Sequence, residues 1–440
     1  MGKPRFLQPS HLLIPALAVF LLSACAVNPV TKEREFSLVS EEEEVRIGDQ
    51  AYPVYTQMSE GEFQDPGLQA YVSAVGKKLA ASSHRPDLDY EFNVVNDSAI
   101  NAYALPGGKI SFTRGLLTQM TNEAQMASVL GHEVGHVTAR HSAAGMTRQK
   151  VAGALTAVGA AALEVAGVRG AEMILQGGMI ATNLVLQKYS RDQERQSDQL
   201  GMQYMTALRY NPEGMVQTME ILDASHQSDP NAVESLFQSH PLTSERISTA
   251  RQLSAAQDPT LRTPGNLRET PFRTATAHLK AVAPAYAKMD EGKAALAGGD
   301  ADKAVTLLRE ATTLAPDQAL IWAFRAGAEV KAGDAATGLA SAEQAVKLYP
   351  GLFRARFTAG GAAFEAGRHR RSLEHLAAAD KIVPGQPQVT YLRGRNLEAQ
   401  GQQEDAARDY YEVLQNVHKG PMAEYCYKRL VEWGYIKQLG

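Results

Sequence analysis

The feature that most limits what this chain can fold into is a period. Pro316, Pro350 and Pro384 stand 34 residues apart, and the same interval separates Ala311, Ala345 and Ala379. Gly299, Gly333, Gly367 and Gly401 keep it, as do Gly292, Ala326, Gly360 and Gly394. A unit of this length is one helical hairpin, in which a small residue lets two antiparallel helices touch, glycine turns the chain and proline closes the unit. One hairpin cannot bury its own apolar face, so successive units must stack. Four units span about 285–418; the fourth is weaker, since Val413 stands where the small residue belongs and His418 where the proline does. Met422–Gln438 is placed to cap the stack. Such a solenoid has a concave face suited to extended peptides or partner proteins.

The repeats leave more than half of the 440 residues for something else. Within Asn122–Ser142 lies His132-Glu133-Val134-Gly135-His136. Residues four apart lie one above the other on a helix, so His132 and His136 can offer two imidazole nitrogens to one metal, with Glu133 beside them. Zn²⁺ takes nitrogen ligands readily, and a catalytic zinc keeps a position open for water. A neighbouring carboxylate can take that water's proton as it attacks a carbonyl, which is amide hydrolysis. The helix is expected to continue past His136 to Arg140 and His141, turning His141 away from the pair, as a supporting or surface residue.

A third ligand is needed. Tyr189–Tyr210 reads as a helix ending before Asn211-Pro212, and it carries Glu194 and Asp198 on one face. A carboxylate oxygen from Glu194 would complete a His₂Glu site. Asp198, one turn on, is placed to accept a hydrogen bond from the free ring N–H of a ligand histidine. Farther on, His240 precedes Pro241 on a loop edge. Three readings of it stay open: it stabilises the oxyanion, it fills the open position of the metal, or it caps and packs. Arg246 donates to the oxyanion or pairs with a carboxylate such as Glu245.

Upstream, Ser40 with Glu43 is a capping pattern, and Glu41–Glu44 reads as the solvated, acidic first turn of a helix. Leu68, Tyr71, Val72, Val75 and Leu79 fall at helical spacing. Tyr90, Phe92 and Val94 alternate, as do Ile110 and Phe112, with Pro106-Gly107-Gly108 between them. This predicts a small sheet, either a plain hairpin or one whose strand nearest the metal helix offers an unpaired edge to an extended peptide. Val151–Leu163 and Met173–Leu186 are apolar but too short to span a bilayer. They form a helical hairpin over the cleft or against lipid, or two short core helices.

Lys3 and Arg5 followed by the apolar run Leu12–Leu22 read as an export signal. Leu22-Ser23-Ala24-Cys25 resembles a bacterial lipobox, which implies cleavage before Cys25, its lipidation, and residence on the periplasmic side of the envelope. Ala26 in place of aspartate points to the outer membrane. With Cys25 lipidated, Cys426 has no disulfide partner. A formal charge of -4 gives no basic footprint for nucleic acid.

Taken together, His132-Glu133-x-x-His136, Glu194-x-x-x-Asp198, the preceding N-A-Y-A-L-P-G-G and the following Ser239-His240-Pro241 and Arg246 resemble the HtpX-type gluzincin metallopeptidases. Within them the chain is most similar to periplasmic, non-spanning members with a tetratricopeptide tail, the kind of repeat described above. The resemblance implies one Zn²⁺ held by His132, His136 and Glu194, Glu133 as general base, endopeptidase activity, and quality control of outer-membrane protein assembly. The lipobox and Asn28-Pro29-Val30-Thr31 look more like lipoprotein members of the family, which usually lack the tail.

The expected architecture is α+β and mostly helical, a zincin-like peptidase domain with a small β-sheet followed by an α-helical solenoid. Its expected parts are a signal peptide at 1–24, a tether at 25–39, a peptidase domain at 40–256, a linker at 257–276 where Pro259, Pro264 and Pro271 cluster, and repeats at 277–440. Expected partners are protein substrates, outer-membrane assembly machinery in the repeat groove, and the membrane through Cys25. The rival reading is an assembly chaperone or scaffold whose zinc site is structural or closed.

Overall fold

A computed structural model describes residues 25–164 and 188–437. The signal residues, the Met173–Leu186 stretch and the lipid-or-lid question attached to it lie outside them. No described helix is long and apolar enough to cross a membrane.

The segment expected as a tether is folded. Strands β1 (Cys25–Val27) and β2 (Arg34–Phe36) pair antiparallel, and buried Asn28 caps the turn between them. Ser40 then caps the Glu41–Met58 helix by accepting from the Glu43 amide. Pro66–Ala81 is the second amphipathic helix, with Leu68, Val72, Val75 and Leu79 in the core.

Three further strands follow: β3 (Glu91–Val95), β4 (Ala102–Leu105) and β5 (Lys109–Thr113). Their order is β3-β5-β4, with β3 parallel to β5 and β4 antiparallel to it. The two runs read from the sequence therefore pair in parallel rather than as a hairpin, and Ala102–Leu105 between them forms one edge of the sheet. From Phe92 onward every residue of these strands is buried, because helices cover both faces.

Past the peptidase region the repeats appear as four hairpins, beginning with Ala277–Ala297 and Ala301–Leu314 and ending with Pro387–Ala399 and Gln403–Asn416; Pro421–Glu432 closes the stack. The turn glycines Gly299, Gly333, Gly367 and Gly401 have φ of +82°, +90°, +68° and +76°, with nothing near a Cβ, so they are there for backbone freedom. Gly292, Gly360 and Gly394 serve for room, since a Cβ there would meet Leu308, Leu376 and Tyr410 at 2.8, 2.8 and 2.7 Å.

Residues 257–276 are not a free linker. They form turns at Pro259–Leu261 and Pro264–Leu267 and a helix at Glu269–Ala275, and they bury Leu261 and Phe272. Arg268 pairs with Glu123 at 3.0 Å and lies over the Tyr210 ring at 3.9 Å. Apolar periodicity is low here because turns of three and four residues have no periodicity to show. The apolar core runs on from the peptidase into the first repeats. Farther along the stack, Arg354 reaches back to Glu60 with one contact of 2.6 Å, and the Phe353 amide donates to Gln57.

Candidate metal centre

The Glu123–Thr138 helix starts on a reciprocal capping box between Asn122 and Gln125. The Arg191–Ala207 helix starts on another, between Ser190 and Gln193. The two helices cross at backbone distance. A Cβ on Gly201 would lie 2.9 Å from the His132 nitrogen, and one on Gly135 3.1 Å from the Ser197 Cα. Only this closeness lets Glu194 reach the histidine pair.

His132, His136, Glu194 and His240 are all buried, and each offers a ligand atom within 4.8 Å of the others. His132 Nε2 and His136 Nε2 are 3.0 Å apart. Glu194 Oε1 lies 3.4 Å from His136 Nε2, and Oε2 3.6 Å from His132 Nε2. His240 Nδ1 is 3.0 Å from Glu194 Oε1 and 3.4 Å from His132 Nε2. Nitrogen and oxygen ligands at about 2.0–2.1 Å from a tetrahedral zinc stand roughly 3.3 Å from one another. The donor set matches that spacing, and all four residues are types that zinc takes, so the residues fit zinc.

Around the donors sits a second set. Asp198 Oδ1 lies 2.9 Å from His132 Nδ1. Arg246 holds that carboxylate with two bonds of 2.8 and 2.9 Å and lies 2.6 Å from Glu194 Oε2. Glu245, the partner considered for it, pairs with Arg195 instead. His141 differs from expectation because the helix stops at Thr138 and Arg140 takes φ +55°. The break swings His141 back, so its Nδ1 is 2.9 Å from His136 Nδ1 and its Nε2 2.9 Å from Gln196 Oε1. That chain closes when His136 donates to His141 and His141 donates to Gln196. Burial pushes His141 down to about 4, which keeps it neutral and able to accept. The Tyr189 ring lies 3.9 Å from that of His136. His141 thus takes the supporting one of its two expected places, reached by a break the spacing did not show; Tyr189 was not legible as part of the site, whereas the glycines Gly131, Gly135 and Gly201 were a readable signal of close crossing.

The same break is clamped from the N-terminus, and the reading of Glu41–Glu44 as a solvated run is corrected at Glu44. It is 2% exposed and accepts from Arg140 at 3.0 Å and Arg85 at 3.2 Å. Burial raises its pKa against the pull of those two cations. Arg85 also donates to the Val137 carbonyl at 3.1 Å, and Asn28 reaches the Ala139 carbonyl.

Charge in the cluster is uneven. Burial opposes ionisation of Glu194 but is outweighed by His240, His136 and Arg246, which hold it well below the usual carboxylate range. Arg246 and His132 outweigh burial at Asp198 in the same way. At Glu133 burial wins and its carboxyl is pushed up. Its Oε2 is buried without a hydrogen-bond partner. A cavity of about 520 Å³, counting its mouth, opens beside Glu133 and His132 and is walled by Val129, Met215, Met219, Leu236, Phe237 and Leu242.

Residues 66–254 match Peptidase family M48. The chain is 31% identical over 192 residues to the beta-barrel assembly-enhancing protease of Escherichia coli, covering 42% of this chain and 39% of that one. The match thus spans about two fifths of that relative. Over 239 residues it is 30% identical to the mitochondrial metalloendopeptidase OMA1 of Schizosaccharomyces pombe, covering 53% of this chain and 68% of that one. Among solved structures, a thermophilic TPR protein of Thermus thermophilus aligns at 17% identity and a TM-score of 0.32, over 34% of this chain and 83% of that one. With its HExxH helix, its downstream carboxylate and a match reaching two thirds of a relative's length, this chain belongs to peptidase family M48, whose members are zinc metallopeptidases.

Proposed function

We propose that the protein is a zinc endopeptidase of the bacterial envelope, tethered to the outer membrane by lipid on Cys25, that cuts misassembled outer-membrane or periplasmic proteins. The observation that carries the endopeptidase reading is Glu133. It belongs to the buried cluster, is no ligand, and keeps one oxygen free beside an apolar cavity. Zinc held by His132, His136 and Glu194 would supply a Lewis acid and an acidified water. Glu133 takes the proton of the attacking water on Oε2 and returns it to the departing amine as the C–N bond breaks, which its burial-raised pKa favours. Asp198 fixes the His132 ring, and Arg246 acts as a positioning residue, its guanidinium occupied by Asp198 and Glu194. The substrate backbone adds along β4, which has β5 as its one strand partner among the described residues. An apolar side chain beside the scissile bond enters the cavity.

His240 sits at ligand distance as a fourth donor, which favours its reading as a cap on the site over that of an oxyanion donor. A closed site also keeps the scaffold reading in view, with the repeats recruiting substrates or assembly machinery. The location rests on the signal and lipobox residues, and the assembly role on the name of the Escherichia coli relative.

Zinc content and casein hydrolysis of the full chain, Glu133→Gln and His240→Ala test these readings together. We expect Glu133→Gln to keep its zinc and lose about 10²–10⁴-fold in rate, and His240→Ala to be faster than wild type. Retained proteolysis in Glu133→Gln would sink the assignment, and zinc without hydrolysis in every variant would transfer it to the scaffold.

A further inference from the structure

A six-residue loop, 96–101, joins β3 to β4 and is bonded both to the first repeat helix and to the segment that leads to His240. On one side it meets the first repeat helix, Ala277–Ala297. The Asn96 amide donates to Tyr286 Oη at 2.8 Å, and Ser98 Oγ donates to Asp290 at 2.8 Å. Arg114 seals the contact, donating to Asn96 at 2.9 Å and to Ser98, with its guanidinium 3.8 Å above the Tyr286 ring. On the other side the loop holds the segment that ends in His240. The Ile100 amide donates to the Ala232 carbonyl at 2.9 Å, and the Asn101 side chain donates to Ser235 Oγ at 3.3 Å. Ser235 lies in the short Glu234–Ser239 helix, on whose last turn the His240 amide is bonded.

The loop is stiff. Thr113 Oγ1 lies 2.7 Å from both the Ala99 and Asn101 carbonyls. A Cβ on Gly115 would fall 2.1 Å from the Ser98 carbonyl oxygen, so the loop rests directly on backbone. A stiff loop bonded at both ends transmits a displacement instead of absorbing it.

We propose that Tyr286, Asp290 and Arg114 are positioning residues for His240. By anchoring loop 96–101 to the first repeat, they hold the Glu234–Ser239 helix where His240 reaches Glu194. A protein substrate that shifts the first repeat helix thereby loosens His240. This rests on the reading of His240 as a cap on the metal site. Coupling of this kind is established by non-additivity, not by proximity.

The test is casein hydrolysis, kcat and KM separately, for Asp290→Ala, Asp290→Asn and Tyr286→Phe, each with His240 present and in the His240→Ala background, with thermal midpoints as a folding check. We expect Asp290→Ala and Tyr286→Phe to raise kcat at least about twofold, and Asp290→Asn, which keeps an acceptor for Ser98, to stay near wild type. In the His240→Ala background the same changes have no effect. An equal effect in both backgrounds overturns the proposal, as does no effect where His240→Ala alone raises activity. If His240→Ala itself changes nothing, the cap reading falls first and this inference with it. Asp290 is partly exposed, so Asp290→Ala decides the matter if Tyr286→Phe fails to fold.

Discussion

Where the Glu123–Thr138 helix crosses the Arg191–Ala207 helix, Gly131 and Gly201 bring backbone against backbone. Where the two helices of a repeat cross, Gly292, Gly360 and Gly394 receive the side chains of Leu308, Leu376 and Tyr410. The missing Cβ is the same, and what fills its place differs. In the repeats an apolar side chain takes the space and the gain is burial. In the peptidase the partner helix's backbone takes it, and the gain is that Glu194 arrives within 3.4 and 3.6 Å of two histidines. One crossing is built for stability and the other for position, so the two fail differently when perturbed.

The largest effect is expected from placing a branched side chain in each crossing. Gly201→Val pushes the helices apart at His132, and we expect loss of bound zinc with at least a 100-fold fall in hydrolysis, about what a misplacement of 1 Å can cost. Gly360→Val overpacks Leu376, and we expect it to destabilise the repeats by about 1–3 kcal/mol while zinc stays bound. Metal analysis with thermal unfolding separates the two, and a Gly201→Val protein that holds zinc at wild-type affinity would break the distinction.

A smaller effect sharpens it from within the site. Asp198→Asn keeps the shape but weakens the acceptor for His132 and leaves Arg246 less well paired. We expect zinc affinity to fall about 10–100-fold with little change in thermal midpoint of the metal-free protein. Competition with a chelator measures it.

The smallest effect belongs to the repeats. His375 is buried with both ring nitrogens unpartnered, and burial together with Arg356 and Arg371 lowers its pKa from 6.5. The fold therefore prefers the neutral ring. Its contribution is fully present above the unfolded value of 6.5 and is lost as pH falls below it. Between pH 7 and 5 the thermal midpoint of the repeats should drop in wild type and drop less in His375→Leu. Identical slopes would show that this ring does not titrate on unfolding.

Legibility followed the range of the interaction. The repeat was readable because each anchor acts locally: a positive φ at Gly299 or a tight crossing at Gly292 is a property of one hairpin, copied at a constant interval. His132, Glu133 and His136 were readable for the same reason, since helical spacing puts them on one face. Glu194 needed only a second helix and a carboxylate. His141 could be read only as supporting or surface, and turned away from the pair, because a straight helix gives no other direction and no residue near Arg140 announces that it will turn left-handed. Glu44 was misjudged because its partners, Arg85 and Arg140, are remote in sequence.

What the sequence determined by itself was therefore the set of helices and the groups they carry: two histidines on one helical face, a glutamate beside them, a downstream carboxylate, and a stack of hairpins. Tertiary structure alone decided that the helix breaks after Thr138, that His240 stands beside His132 and Glu194, that Arg246 pairs with Asp198 and Glu194, and that residues 257–276 dock the repeats onto the peptidase. The physical reason is that each of these depends on a charged or polar group being buried against a partner far along the chain. Burial is a property of the whole packing, whereas spacing belongs to a single element.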